Sequence, residues 1–206
     1  MVGDSVTRQP MEALVAALSQ GDLASAERAL HQAGDISHEG QFIPYVTRFW
    51  QTVNQADYLA RARSARLQER ITFTGYLPPR EVARHVSQAT LSVIPSLVKE
   101  AFPLVSIEAL SSGVLPVAPA YGGLIPILDE IGWALGPIGQ MARVRHDPDT
   151  LTADLARRVP LLLSVLSRPM VRRRVTQRCR QLAVERYDWS AVIQRIEGVY
   201  QEVRWN

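Results

Sequence analysis

Two acidic residues, Glu100 and Glu108, flank a short segment whose residue types could hold a sugar nucleotide. Pro103 lies between them and is a residue type favoured in the first turn of a helix, which places Glu100 just ahead of a helix and Glu108 in its second turn. Free backbone N–H groups at a helix start can hold a diphosphate without a metal, while carboxylates accept hydrogen bonds from vicinal hydroxyls. At about 1.5 Å per residue the segment covers at most about 12 Å, comparable to the reach from a ribose to a hexose across a diphosphate.

The segments that must position these glutamates alternate between strands and helices from residue 70 onward. Short β-branched or apolar runs predict strands over residues 71–74, 91–94, 114–118 and 141–144. Strands separated by helices imply a parallel sheet in an open α/β domain. Because ligands of such sheets bind at the carboxyl ends of the strands, the loop that carries Glu100 is the candidate site.

Residues 1–69 differ from the rest of the sequence, since they are rich in Ala, Leu, Gln and Arg at helical spacing. We therefore predict a mostly helical amino-terminal segment over residues 1–69 and an α/β domain with terminal helices, which carries the candidate site, over residues 70–206. Breaks between helices are expected at Gly21-Asp22 and at Gly34-Asp35. The aromatic residues expected in the core of this segment are Tyr45, Phe49 and Trp50.

The order of motifs from residue 70 to residue 130 resembles the carboxy-terminal domain of GT-B fold glycosyltransferases of group 1, the retaining family 4. The resemblance is carried by ITFTGYLPPREVARHVSQATLSVIPSLVKEAFPLVSIEALSSGVLPVAPAYGG, with the two glutamates separated by seven residues that are the hallmark of that family. Residues 187–200 resemble the end of the same domain. The resemblance implies a Rossmann-like open parallel sheet with flanking helices, one half of a GT-B fold, that binds a nucleotide diphosphate sugar for retaining glycosyl transfer.

The resemblance also implies roles for individual residues. Glu100, the catalytic candidate, is expected to contact hydroxyls of the donor sugar, and Glu108 is expected to bind the ribose. Arg8 is the nearest candidate for a lysine that neutralises the diphosphate in the family. The other donor-binding candidates supply backbone groups or turns close to the ligand. They are Phe102, Leu104, Val105, Gly75, Tyr76, Leu77, Gly122 and Gly123.

Four features depart from the family pattern. Ala101 stands where the family has glycine after the first glutamate, which narrows the space beside the sugar. The family's glycine-arginine turn has no matching arginine near Asp4, and residues 19–69 do not match the family's second strand, so an inserted or rearranged helical segment is expected there. The resemblance covers one of the two GT-B domains, so the expected partner is a missing amino-terminal GT-B domain or another subunit.

Two alternatives to donor binding stay open. The first is a non-catalytic GT-B-like domain that acts in subunit association, which the missing cations and the missing partner domain motivate. The second is another GT-B fold enzyme, such as a sugar-nucleotide epimerase.

Composition restricts the remaining classes of protein. The hydrophobic fraction of 47% and the charged fraction of 21% are those of a soluble globular protein, and no apolar run approaches the roughly 20 residues of a transmembrane helix. No secretory signal is evident and Cys179 is the only cysteine, so a cytoplasmic location is expected. The net charge of +3 comes from scattered arginines and does not favour nucleic-acid binding.

Metal ligands are not indicated either. The four histidines are dispersed, without the spacing of a metal site. Asp147-Pro148-Asp149 fits an Asp-x-Asp metal pattern, but it precedes a predicted helix and suits a helix cap better. We therefore expect no cofactor and a metal-independent reaction in which the nucleotide sugar is the substrate and the acceptor is unassigned.

Overall fold

The protein is described by a computed structural model that covers residues 8–36 and 43–204. The chain divides into two compact units. The first, here called the helical unit, comprises Met1–Val82 with Asp147–Thr152, and the second, the sheet unit, comprises Ala83–His146 with Ala153–Asn206. The predicted boundary after residue 69 stays a prediction.

The helical unit contains five helices and the start of a sixth within its described residues. They are α1 (Arg8–Gln20), α2 (Leu23–Ile36), α3 (Ile43–Thr52), α4 (Gln55–Ser64), α5 (Leu67–Arg70) and α6 (Pro79–Gln88). The break at Gly21-Asp22 is confirmed, since Gly21 has a φ of 74° and the Asp22 carboxylate accepts a 3.0 Å hydrogen bond from the backbone N–H of Ser25. The prediction of a break at Gly34-Asp35 was wrong, because α2 continues to Ile36. A single glycine costs a helix only about 1 kcal/mol, which packing elsewhere in the helix outweighs.

The core of the helical unit joins α1, α2 and α4. Leu18, Ala26 and Ala62 are buried there, and Trp50 and Tyr58 pack against them. The indole N–H of Trp50 donates a 3.1 Å hydrogen bond to Glu27, so its polar atom is satisfied. Of the three aromatic residues predicted for the core, Trp50 is confirmed, and the ring of Phe49 lies 5.3 Å from the ring of Tyr58.

The predicted strand over residues 71–74 was wrong. The backbone there is neither helix nor strand, and Gly75 makes only an isolated bridge. Strand propensity reflects packing against neighbouring strands more than an intrinsic backbone preference, so a β-branched composition alone need not produce a strand.

The sheet unit has a three-stranded parallel sheet in its described residues. The strands are β1 (Leu91–Val93), β2 (Leu115–Pro119) and β3 (Arg143–Val144), in the order β1-β2-β3. Leu91 pairs with Leu115, and Ala118 pairs with Arg143. The helices that follow α6 are α7 (Leu104–Ser111), α8 (Leu124–Leu135), α9 (Pro137–Ala142), α10 (Leu151–Leu166), α11 (Pro169–Tyr187) and α12 (Trp189–Arg204). The predicted α/β class is confirmed, and so are the strands predicted over residues 91–94 and 114–118. The strand predicted over residues 141–144 is shorter than expected, because α9 continues to Ala142 and only residues 143–144 form β3.

All five residues of β2 are buried, so the central strand forms the middle of the core. Helix α11 contacts α7, α8 and β2. Gly113, with a φ of 79°, ends α7 as predicted: its N–H bonds to the carbonyl of Leu110 and the N–H of Val114 bonds to the carbonyl of Ala109. The chain therefore turns directly from α7 into β2, and this turn fixes where α7 ends. Among the described helices, none combines the length and the apolar character needed to cross a membrane.

Candidate functional site

The first turn of α7 is open to a ligand. Pro103 is its N-cap and gives no side-chain hydrogen bond to the helix. The helix start is held instead by Ser106, a buried residue whose hydroxyl donates a 2.6 Å hydrogen bond to the carbonyl of Pro103. Leu104 and Val105 are 63% and 49% exposed. An uncapped, exposed first turn leaves backbone N–H groups that can bind an anion.

Glu100 lies in the loop between β1 and α7 and is half-buried. Its carboxylate accepts a 2.8 Å hydrogen bond from the hydroxyl of Ser96, and its backbone N–H bonds to the carbonyl of Val98 at 3.0 Å. The side chain is thus oriented by its own loop. A carboxylate held by one donor still has free lone pairs for the hydroxyls of a sugar.

The glycine turn after β2 lies directly against this loop. The N–H of Gly123 bonds to the carbonyl of Glu100 at 2.8 Å, and Gly122 has a φ of 54°, in the left-handed region. A Cβ atom on Gly123 would lie 2.1 Å from the carbonyl oxygen of Ala101. Only glycine allows this approach, so the structure brings together Glu100, Gly122 and Gly123 as predicted from the sequence.

Phe102 links the loop to the end of α11. Its ring lies 6.0 Å from the ring of Tyr187, at an angle of 53°. The Tyr187 hydroxyl donates a 2.5 Å hydrogen bond to the carboxylate of Glu130. Burial, together with the bond to Glu130, raises the pKa of Tyr187 well above its usual range. The backbone of Phe102, a predicted donor-binding group, therefore lies on a loop with a fixed aromatic contact.

Glu108 lies in the second turn of α7, as predicted, and is exposed. The backbone around it closes the helix, since its carbonyl accepts hydrogen bonds from Ser111 and Ser112. The direct contacts that join Glu100 to the glycine turn do not include Glu108.

The remaining candidates lie in the helical unit. A Cβ atom on Gly75 would lie 2.5 Å from a terminal nitrogen of Arg8, so the Arg8 guanidinium packs against the turn that contains Tyr76 and Leu77. Arg8 also forms a 2.7 Å ion pair with Glu12. Tyr76 is exposed and Leu77 is half-buried. The guanidinium group of Arg8 therefore lies in contact with the turn that contains Gly75.

Asp147 acts locally, as the sequence predicts. Its carboxylate accepts a hydrogen bond from the N–H of Asp149 at 2.9 Å, and its carbonyl accepts one from the N–H of Leu151, the first residue of α10. Asp149 forms a 2.6 Å ion pair with Arg48. In the part of the chain that the structure describes, no three His, Cys, Asp or Glu side chains come close enough together to hold a metal ion.

A cavity of about 680 Å³ at the carboxyl ends of β2 and β3 was missed at the sequence level. The residues that line it include Arg143, Arg145 and Arg158. Nothing in the sequence distinguishes these three arginines from the many others, because they come together only in the folded structure. The remaining lining residues are Ala120, Gln140, Met141, Val144 and His146.

Comparison with protein families matches residues 32–131 to the family described as Glycosyl transferases group 1. Residues 32–131 of the chain belong to the group 1 glycosyltransferase family. The matched residues include the Glu100 loop, α7 with Glu108, and the glycine turn. The match also extends into residues 32–69, where the motif resemblance had found no counterpart.

Curated relatives agree with this assignment. The chain is 30% identical over 148 residues to proteins named phosphatidyl-myo-inositol mannosyltransferase, from two strains of Mycobacterium tuberculosis and from Mycobacterium bovis. The aligned region is 72% of this chain and 36% of each relative. The chain therefore spans about a third of the length of the curated relatives it matches. No solved structure matches the chain.

Proposed function

We propose that this group 1 glycosyltransferase chain binds a nucleotide diphosphate sugar at the start of α7 and presents it for retaining glycosyl transfer. The observation that carries the proposal is the 2.8 Å hydrogen bond between the Gly123 N–H and the Glu100 carbonyl. It fastens the loop after β1 to the turn after β2, at the carboxyl ends of neighbouring parallel strands, where open α/β sheets bind their ligands.

Each part of the proposed donor, namely the sugar, the ribose and the diphosphate, has a group of the protein that would bind it. Glu100, oriented by Ser96, accepts hydrogen bonds from hydroxyls of the donor sugar. Glu108, an exposed carboxylate further along α7, accepts them from the ribose. The diphosphate lies at the helix start, where the backbone N–H groups of Phe102, Leu104 and Val105 and the helix dipole favour negative charge.

The same groups have a chemical role. When the bond to the sugar breaks, negative charge develops on the leaving diphosphate, and preoriented N–H groups stabilise that charge without having to reorganise. We propose that this electrostatic stabilisation needs no metal. The roles predicted from the sequence for Arg8 and for the turn from Gly75 to Leu77, which belong to the helical unit, stay predictions.

The acceptor and the rest of the catalytic machinery belong to the second half of the proposed GT-B enzyme, supplied by another domain or by a partner subunit. The names of the curated relatives make a mannose donor the first to test.

The experiment is a thermal unfolding series with guanosine or uridine diphosphate and a nucleoside diphosphate mannose at millimolar concentration. A ligand that binds only the folded state raises the melting temperature, so we expect a rise for the wild-type chain and its loss in Glu108→Gln. Glu202→Gln is the matched control, because Glu202 is an exposed glutamate on α12 and is not one of the proposed donor-binding residues. An unchanged melting temperature of the wild-type chain with all of these ligands would refute donor binding.

A second candidate function, subunit association, has one observation in its favour. Helix α12 exposes an apolar stripe that α11 leaves uncovered, made up of Trp189, Ile193, Ile196, Val199, Tyr200 and Val203. Sedimentation with and without nucleotide separates the two functions, since a tight oligomer that is indifferent to nucleotide supports association. A monomer that responds to nucleotide excludes it.

A further inference from the structure

The arginine-lined cavity, defined above by its eight lining residues, lies where a ligand of an open α/β sheet is expected. Ala120 follows β2 directly, and its N–H bonds to the carbonyl of Val144 at 2.8 Å. Arg145 and His146 follow β3 in the same way. The cavity therefore opens at the carboxyl ends of two parallel strands, and its volume of about 680 Å³ is in the range of small-molecule sites.

The charge of the lining is one-sided. Three arginines and a histidine face the cavity, and no Asp or Glu is among the described residues that line it. The His146 ring stacks on the ring of Tyr121, with centroids 3.9 Å apart and planes 5° from parallel. This contact holds one cavity wall in place.

A buried carboxylate behind the lining holds two of these arginines. Asp154 is only 3% exposed, and it forms ion pairs with Arg145 at 3.1 Å, with Arg157 at 3.2 Å and with Arg158 at 3.8 Å. The Asp154 carboxylate thus fixes the positions of Arg145 and Arg158. Guanidinium groups held in fixed positions are the arrangement that recognises phosphate oxygens.

Arg158 is held in place from two sides. One of its terminal nitrogens donates to the carbonyls of Gln140 and Met141, at 3.2 and 3.5 Å. Its buried Nε lies 3.8 Å from a carboxylate oxygen of Asp154. These contacts fix the position of a side chain that lines the cavity.

We propose that the arginine-lined cavity is a second anion site, which binds the phosphate group of a small soluble phosphate ester or diphosphate through Arg143, Arg145 and Arg158. It shares no residue with the donor site proposed at the start of α7, and it does not depend on that proposal. Arg145 and Arg143 approach the phosphate from the edge of β3, and Arg158 approaches it from α10.

The structure offers a matched pair of variants to test this site. Arg145 and Arg157 both pair with Asp154, and their side chains are 64% and 65% exposed, but only Arg145 lines the cavity. Isothermal titration with pyrophosphate should show a loss of affinity of at least about tenfold in Arg145→Gln, since one charge-assisted contact is removed, while Arg157→Gln stays near the wild-type affinity. Arg143→Gln, whose arginine pairs with Asp129 instead, should lose affinity as Arg145→Gln does, and it decides the matter if Arg145→Gln does not fold.

Two further arms identify the source of the phosphate and separate this site from the donor site. Sedimentation with phosphatidic acid vesicles, compared with phosphatidylcholine vesicles, distinguishes a lipid head group from a soluble ester, and binding to vesicles alone would contradict the proposal. Neither Arg145 nor Arg157 belongs to the donor site, so a loss of pyrophosphate affinity in Arg145→Gln but not in Arg157→Gln assigns the binding to the cavity. Equal losses in Arg145→Gln and Arg157→Gln, or no pyrophosphate binding by the wild-type chain at about 10 mM, would overturn it.

Discussion

The backbone N–H of Gly123 donates a 2.8 Å hydrogen bond to the carbonyl oxygen of Glu100. This bond joins two loops that leave neighbouring parallel strands, and it leaves no space for a side chain between them, because a Cβ atom on Gly123 would meet the Ala101 carbonyl oxygen at 2.1 Å. The position of the Glu100 carboxylate therefore depends on a glycine more than twenty residues further along the chain.

Replacing Gly123 with alanine should displace the Glu100 loop. The φ of Gly123 is −67°, which any residue adopts, so the cost comes from the clash with backbone rather than from backbone strain. We expect Gly123→Ala to lower the free energy of unfolding by about 1–3 kcal/mol, measured by urea denaturation, and to abolish the rise in melting temperature with donor nucleotide.

Gly198 provides the control for this change. It lies within α12, and a Cβ atom there would have no heavy atom within 4 Å. Gly198→Ala should therefore leave stability unchanged or raise it by up to about 1 kcal/mol, because alanine is the better helix former. Equal destabilisation by the two variants would show that the contact between Gly123 and Ala101 is not what holds the loop.

The contact between Phe102 and Tyr187 predicts different results for two changes at Tyr187. Tyr187→Phe keeps the ring and removes the hydrogen bond to Glu130, which should cost about 1 kcal/mol of unfolding free energy and leave the nucleotide response intact. Tyr187→Ala removes the ring as well, so the nucleotide-induced rise in melting temperature should shrink. Titration of both variants with nucleoside diphosphate checks this, and equal responses would contradict a role of the ring contact in positioning the loop.

The parts of the fold that could be predicted are those in which one local signal and the tertiary contacts agree. Gly113 was predicted to end α7 and does so, because its φ of 79° suits glycine and the helix also needs a sharp return into β2. The same agreement made the central strand and the glycine turn predictable. Glu100 and the glycine turn could be placed together because the carboxyl ends of adjacent parallel strands lie side by side.

The parts that could not be predicted depend on contacts distant in sequence. Residues 71–74 have strand-like composition, but strand formation depends on a partner that the sequence does not reveal. The arginine-lined cavity was missed for a similar reason. Arg143 and Arg158 are far apart in sequence, and the buried Asp154 that organises the cluster looks, in sequence, like any acidic residue in a first helical turn.

Cys179 is expected to be inert in the folded protein. It is fully buried, and burial raises the pKa of its thiol from 9.0 to about 12, so the reactive thiolate is about a thousandfold scarcer than for an exposed cysteine. A thiol reagent at mildly alkaline pH should react at least about tenfold more slowly with the native chain than with the chain in urea. Since Cys179 is the only cysteine, the measured rate of thiol modification belongs to this residue alone. Equal rates would show that α11 does not shield it.

The Asp154 cluster predicts a specific loss of stability in acid. The hydrogen bond from Arg145 lowers the pKa of the Asp154 carboxyl below 3.8, and although burial opposes this, the nearby Arg145 and Arg158 charges add to the lowering. A carboxyl whose pKa is lower in the folded state stabilises the fold above its unfolded pKa, and this stabilisation is lost as the pH falls through the folded pKa.

Asp154→Asn should therefore be less stable than the wild type by about 2 kcal/mol at neutral pH, and the difference should shrink below about pH 4. Urea denaturation across this pH range measures it, with Glu202→Gln, an exposed glutamate on α12, following the wild-type profile. A difference that stays constant into acid would mean that the loss in Asp154→Asn comes from packing and not from the charge that holds the three arginines.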